Sequence, residues 1–505
     1  MPTSDQPTSP ETPHPRGFAP ASRLRRALAA GLVALSAAAL APACSDDSSA
    51  GDASTLADAT SDSASLDGAS DTTVTAKPAP TCTPPQCWAI QTGPLSQGIA
   101  PDRLGGLTAL VTATGDLIHV DATGTIDRTE PLGLGYDFKL SGTGDGGFLI
   151  VVPGSLGTLL GTPLNGNVVM AKVSADWKVK WTATATTLSL SQAHAIGSPA
   201  DGGGVLLDKN VAGGGGKTSQ VDRAVRYDAD GNIVWERRLP DLATWSLADN
   251  GDLLATVGTI YYLETPESLF TAPEGSTLVG GAFRMAPNGT IRWSIPFGNA
   301  DGAKLTHRPG PILGTPDGGA FVAPHWYRAG GQLGPVHTVY VGNEATLLPT
   351  YELGAAGSPI VRLDFTGLPT SIEWPWNHSP KPHAEGRPSV TSSVYSLAPA
   401  PDNGALVAGV VMVYLAEGPK LVAYDGGASK VAGLLLPHSG AYLARLGSDG
   451  KAEWAAEHWL ADEFGYGTLA TDGANLFFDA FGPDFASTPG GPGGNLLKWP
   501  TAPPQ

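Results

Sequence analysis

From residue 88 onward, short apolar runs rich in Val, Ile, Tyr and Trp recur between turn residues, and one pattern returns along the chain. Its first half is an Asp-Gly turn that runs into an apolar stretch, as at Asp145, Asp201 and Asp249 and again at Asp317, Asp402 and Asp472. Its second half is a strand, a tight Asp-Gly or Asn-Gly turn and a strand that carries Trp. The clearest copy runs from Ala224 to Trp235, and others end at Trp181, Trp293, Trp374 and Trp454. Such runs bounded by Gly, Asn and Asp predict strands joined by hairpins, because Gly takes a positive φ at little cost. Each unit then holds four strands. In the sixth these are 394–397, 405–409, 441–445 and 451–454. A four-stranded antiparallel unit repeated along a chain predicts an all-β fold, the β-propeller.

The two ends of the repeat are incomplete. The first unit has Arg128 where Trp is expected, and the seventh reaches residue 499 without a fourth strand. The segment that starts at Trp88 resembles the Trp-bearing strand at Trp235 and has no unit of its own. If it completes the last sheet, the ring closes with seven blades of about 59 residues; six blades, with the two ends merged, is the alternative. Trp88, Trp181, Trp235, Trp293, Trp374 and Trp454 are expected to pack blade against blade.

In such a meander the tight turns share one face, while the connections between strands two and three, and between blades, share the other. The latter lengthen at 259–280, 325–358, 375–393 and 411–439. Long loops on one rim of a rigid scaffold are where binding usually resides. His325, Trp326 and Tyr327 fall there, as do Trp376, His378 and His383, so these six residues are the candidate binding face. Their spacing gives no complete metal ligand set, and neither a metal nor a cofactor is expected. The alternative is a hydrolase or lyase acting on an extracellular polymer, with Asp364, Glu373 or Glu385 as acids beside His378 and His383.

Composition narrows the classes. With 66 Gly and 44 Pro in 505 residues, a helical bundle is excluded. A net charge of −17 with no basic cluster outside the N-terminus argues against nucleic acid. Two further motifs dissolve on inspection. The Gly213–Thr218 run lacks the leading Gly of a phosphate loop (Val211 stands there) and joins two strands. Asp228 and Asp230 open like a calcium loop, but Ile233 and Val234 follow where ligands are needed. Neither a Gly-x-Ser-x-Gly elbow nor a His-Glu-x-x-His pair occurs.

The N-terminal part reads as an address. Arg23, Arg25 and Arg26 precede a small-and-apolar run from Ala27 to Ala41, which has the layout of an export signal. The sequence Leu40-Ala41-Pro42-Ala43-Cys44 resembles a bacterial lipoprotein cleavage site. The resemblance implies that residues 1–43 are removed, that Cys44 is acylated and that the product is anchored in the cell envelope, with Ser45 favouring the outer membrane. Residues 44–87 carry seven Asp against Lys77 and too little apolar surface to fold, so they are expected to form a disordered tether. Cys82 and Cys87 are expected to close a local disulfide where the folded domain, residues 88–505, begins.

Within that domain, Asp-x-Asp-Gly-x-x-x-Trp at Asp228 to Trp235 resembles the quinoprotein-like propeller repeat. The quinone-dependent members carry an adjacent cysteine pair that this chain lacks, so redox chemistry is not implied. The expected function is a membrane-anchored, extracytoplasmic binding or scaffold module for a protein or glycan partner, rather than an enzyme.

Overall fold

The computed structural model describes residues between Trp88 and Thr501, apart from 93–94, 112–113, 134–137, 188, 211–220, 241, 259–268, 273, 301–304, 328–336, 349–355, 374–388, 416–417, 420–428, 432–433, 437–439, 459–464 and 482–493. The chain divides into Met1–Ser70 and Asp71–Gln505, and every described residue belongs to the second part. The expectations for residues 1–87, with Cys44, Cys82 and Cys87, fall outside the described residues, as do Trp374, Trp376, His378, His383 and Glu385.

Regular structure among the described residues is β-strand, interrupted by three single 3-10 turns. The strands form up-and-down antiparallel meanders in chain order. The first has strands Leu95–Pro101, Leu107–Val111, Asp116–Val120 and Ile126–Pro131. The second to sixth meanders lie within 139–184, 193–240, 242–300, 312–373 and 389–458. The last contains Gly465–Thr471, Asn475–Phe481 and Gly494–Pro500, and its fourth strand is Trp88–Gln91 from the other end of the chain. Trp88 stands opposite Lys498 and Gln91 opposite Asn495. The fold is all-β, a β-propeller. As a propeller the arrangement stands with six blades, the alternative count of the sequence reading. The four-stranded meanders themselves number seven among the described residues, and that surplus bears on the proposal below.

The turn between strands three and four shows how sequence specifies each hairpin. Asp121 Oδ1 accepts the backbone N–H groups of Thr123 (2.8 Å) and Thr125 (2.9 Å). Asp228 does the same for Asp230 (3.0 Å) and Asn232 (2.8 Å), and Asp364 for Thr366 (2.8 Å) and Leu368 (3.0 Å). The chain then reverses through Gly124, Gly231 or Gly367 at φ 89°, 85° or 86°, the left-handed region that glycine enters without a Cβ clash. The register shifts by one residue beside each turn, at His119/Val120, Arg226/Tyr227 and Arg362/Leu363, as expected of a glycine bulge.

Apolar side chains are buried between consecutive meanders. Val205, Leu207 and Trp235 of the third meet Leu253, Ala255 and Phe283 of the fourth. Val151 and Met170 of the second meet Leu206 and Val225 of the third. Phe477 and Leu496 of the last pack on Leu107, Ala109 and Ile118 of the first. Each fully buried Leu, Val or Phe contributes about 1.5–3 kcal/mol by leaving water, and such layers cover both faces of the first to fifth meanders.

Candidate functional site

The tight-turn rim holds a repeated polar pair. Directly opposite the strand-four position that carries Trp, strand three carries a basic residue in every meander. His119 stands opposite Arg128, Lys172 opposite Trp181, Arg226 opposite Trp235 and Arg284 opposite Trp293. Arg362 stands opposite Ser371, Arg445 opposite Trp454 and Lys498 opposite Trp88. Most of these cations are buried, and a buried cation is costly without a carboxylate partner. The partners come from the turn between strands one and two: His119–Asp102 at 3.1 Å, Lys172–Asp145 at 2.7 Å and Arg226–Asp201 at 2.8 Å. Arg284–Asp252 follows at 2.6 Å, Arg362–Asp317 at 2.5 Å and Arg445–Asp402 at 3.6 Å. Most of the Asp-Gly turns singled out in the sequence are thus ends of ion pairs. In the fourth meander the partner is Asp252 and not Asp249.

The pairing sets the charge states. Burial alone would raise the Asp145 carboxyl, but hydrogen bonds from Lys172 and Thr143 and the Lys172 charge bring it below the usual range. Against the same burial penalty, Asp201 is lowered by the Ser198 hydroxyl and then Arg226, and Asp317 by the Thr315 hydroxyl, the Gly319 N–H and then Arg362. His119 is raised, first by its hydrogen bond to Asp102 and then, against burial, by Asp127.

Tryptophan docks one meander on the next. Trp181 lies over Gly231, where a Cβ would come within 2.6 Å of the indole, and its Nε1 donates to the Ala229 carbonyl at 2.9 Å. Trp293 covers Gly367 in the same way, with a Cβ 2.9 Å away, and Trp235 is buried against the fourth meander. In the fifth meander the position four residues after the turn glycine is Ser371, which faces Gly450. The sequence reading had assigned that packing place to Trp374. At the first junction, Arg128 stands where Trp is expected. Its guanidinium sits 4.6 Å from the centroid of Trp177, which occupies the turn position of the glycine at φ 62°.

The opposite face carries additional strands. Thr306–Arg308, His325–Tyr327 and Ala356–Gly357 form a small sheet, and the hairpin of His337–Val341 with Glu344–Leu348 extends the edge strand Ile291–Ala300. The fifth unit thereby reaches back over the fourth. Trp326 is 0% exposed, its ring 5.3 Å from His307 and 6.1 Å from Phe297. Its indole is a packing group, not a rim contact. His325 Nδ1 lies 2.9 Å from the Ser358 hydroxyl. Burial first, then the Arg308 charge, pushes His325 down to about 4, and burial followed by His325 pushes His307 down to about 3. The side chain of Tyr327 is outside the described residues.

The two described acids of the enzyme alternative do not converge. Asp364 serves its turn, whereas Glu373 lies at the far end of Pro369–Glu373, opposite Ile360. Five strand residues separate them by roughly 15 Å. Burial raises Glu373, with Lys451 opposing. Among the described residues, no three His, Cys, Asp or Glu side chains gather as a metal site.

No protein-family model matches the sequence, and no curated protein is significantly similar to it. Many solved structures align with it, and two illustrate the likeness. One is a protein of unknown function from Bacteroides caccae, at 11% identity and a TM-score of 0.30 over 72% of this chain and 93% of the other. The second is the β-propeller domain of Cps50 (Swd1) from Myceliophthora thermophila, at 10% identity and a TM-score of 0.36 over 81% of this chain and 98% of the other. At overlaps this low neither alignment bears on what the chain binds.

Proposed function

We propose that the chain is an exported, lipid-anchored β-propeller that acts as a binding scaffold, and that the long-loop face engages a protein or glycan partner. One observation carries the reading. The tight-turn rim spends its residues on repeated ion pairs and indole docking, while the additional sheet and hairpin of the fifth unit enlarge the other face. A binding module needs such an asymmetry between a rigid frame and an elaborated rim. The separation of Asp364 from Glu373 disfavours a paired-carboxylate hydrolase. Seven blades are part of the proposal, supported by the seven meanders, the seven basic positions opposite the strand-four site, and the pairing of Trp88–Gln91 with Gly494–Pro500.

Anchoring rests on the residue pattern around Cys44, and Cys44→Ala is expected to move the protein from the membrane to the soluble fraction. Binding is tested on glycan and peptide arrays with wild type and a variant whose 337–348 hairpin is replaced by a short Gly-Ser link. Loss of capture with an unchanged melting temperature supports the reading. Equal capture by both, or turnover of an arrayed polymer, overturns it.

A further inference from the structure

The last of the basic positions departs from the others. Lys498 is 4% exposed, yet among the described residues it forms no ion pair, while each of its six counterparts does. The acid that corresponds to its partner, Asp472, is engaged elsewhere. Asp472 Oδ1 accepts the N–H groups of Ala474 (2.9 Å) and Asn475 (2.7 Å), and Oδ2 accepts Asn475 Nδ2 at 2.8 Å. Asn475 thus takes the place that the cation holds in the other meanders. Lys498 Nζ donates to the Ala122 carbonyl at 3.2 Å, across the seam between the last and first meanders. Burial lowers its pKa, and the charges of Asp472, Asp102 and Asp121 only partly offset this.

The ammonium lines an open cleft of about 410 Å³ between these two meanders. Gly105, at φ 90°, leaves one side of the ammonium open: a Cβ there would stand 3.3 Å from Nζ. Beside it Leu104 projects into solvent at 81% exposure, its backbone N–H fixed by Asp102 Oδ1 at 2.7 Å. Arg103, at φ 64°, holds the other rim with its guanidinium bonded to the Pro199 carbonyl at 2.9 Å. A lysine whose stem is buried and whose ammonium, among the described residues, has one neutral acceptor and faces a cleft gains most from a charged acceptor. The cleft supplies the space, and an exposed leucine supplies an apolar neighbour.

We infer that this seam cleft binds a peptide segment through a carboxylate that pairs with Lys498, with an aliphatic neighbour of that acid lying on Leu104. The site is on the tight-turn rim, so it is separate from the long-loop face and stands whether or not that face binds. The domain is net acidic, so long-range steering opposes an acidic ligand and the interaction is a short-range, weak one.

The test uses the full chain and fluorescence anisotropy with a labelled peptide, Gly-Leu-Glu-Leu-Gly with blocked ends, against its Gln counterpart. Acetate and inorganic phosphate serve as competitors. The expected result is binding of the Glu peptide, at least tenfold loss with the Gln peptide or with Lys498→Met, and a two- to fivefold loss with Leu104→Ser. Because Lys498→Met removes a buried seam residue and can unfold the ring, Ala122→Asp is the second variant. It places a carboxylate beside Nζ and is expected to raise the melting temperature while blocking the peptide. Absence of binding, equal binding of Glu and Gln peptides, or unchanged affinity in Leu104→Ser and Ala122→Asp overturns the assignment. Competition by phosphate but not acetate also overturns it, in favour of a general anion pocket.

Discussion

The two rims of this propeller obey different rules. On the tight-turn rim the same three parts recur: an acid in the first turn, a base on strand three, and an aromatic or its substitute on strand four. On the long-loop rim the described residues show no such repeated set, and the fifth unit lays its additional strands over the fourth. The first rim is specified by local spacing, the second by contacts between distant segments. Even the first rim admits exchange of parts. At the second-to-third junction the indole of Trp181 lies on a turn glycine. At the first-to-second junction the turn itself supplies the indole, Trp177, and the strand supplies Arg128, whose Nη1 donates to the Asp176 carbonyl at 3.3 Å. The junction needs a flat ring over a tight turn, and it is indifferent to which side provides it.

The sharpest way to break the periodic rim is at a fully buried pair. Arg284 and Asp252 are 1% and 0% exposed, and Asp252 also meets Arg292 at 2.7 Å. Asp252→Ala strands the guanidinium and is expected to cost about 3–5 kcal/mol, read as a drop in denaturant midpoint. The exchange of parts is tested next. Trp177→Gly removes a buried indole at an expected cost of about 3 kcal/mol. Adding Arg128→Trp to it rebuilds the arrangement of the next junction and should recover most of that loss; a double variant no better than the single one would refute the equivalence.

Acid separates the rims by pH window. His307 and His325 have folded values of about 3 and 4, below the ordinary 6.5, so the unfolded or opened chain binds protons that the folded one does not. Stability that is complete above pH 6.5 is lost as the pH falls toward 4, with a slope of about 1.4 kcal/mol per pH unit for each imidazole. Hydrogen exchange should therefore open the strand His325–Tyr327 first. The carboxylates of Asp145, Asp201 and Asp317, all lowered, contribute above the ordinary value of 3.8 and lose that contribution only as the pH falls through their lower folded values. Simultaneous opening of both rims on acidification would contradict the contrast. The smallest effect is expected from the hairpin replacement at 337–348, less than about 1 kcal/mol in stability, since that hairpin lies at a sheet edge.

The sequence made the periodic rim legible and left the other obscure, for a physical reason. Hairpin turns and a Trp four residues beyond the glycine are short-range signals, and they located the repeat and the strand at Trp88. A base five residues before the turn glycine was equally regular, at His119, Arg226, Arg284, Arg362 and Arg445. It was the available clue to the ion pairs. In the fifth unit the register position falls on Ser371, and Trp374, three residues on, lies outside the described residues. Trp326 misled because its burial depends on His307 and Phe297, and no spacing rule links those three. The Lys498 cleft was also hidden, since it arises where the two ends of the folded chain meet.

The pairing of Trp88–Gln91 with Gly494–Pro500 has a kinetic side. Synthesis proceeds from the N-terminus, so the strand Trp88–Gln91 must wait, with its hydrogen-bonding edge bare, for Gly494–Pro500 to arrive. Any nascent or truncated form that lacks the final dozen residues therefore presents two open edges at once, and these could latch onto a second molecule as readily as onto each other.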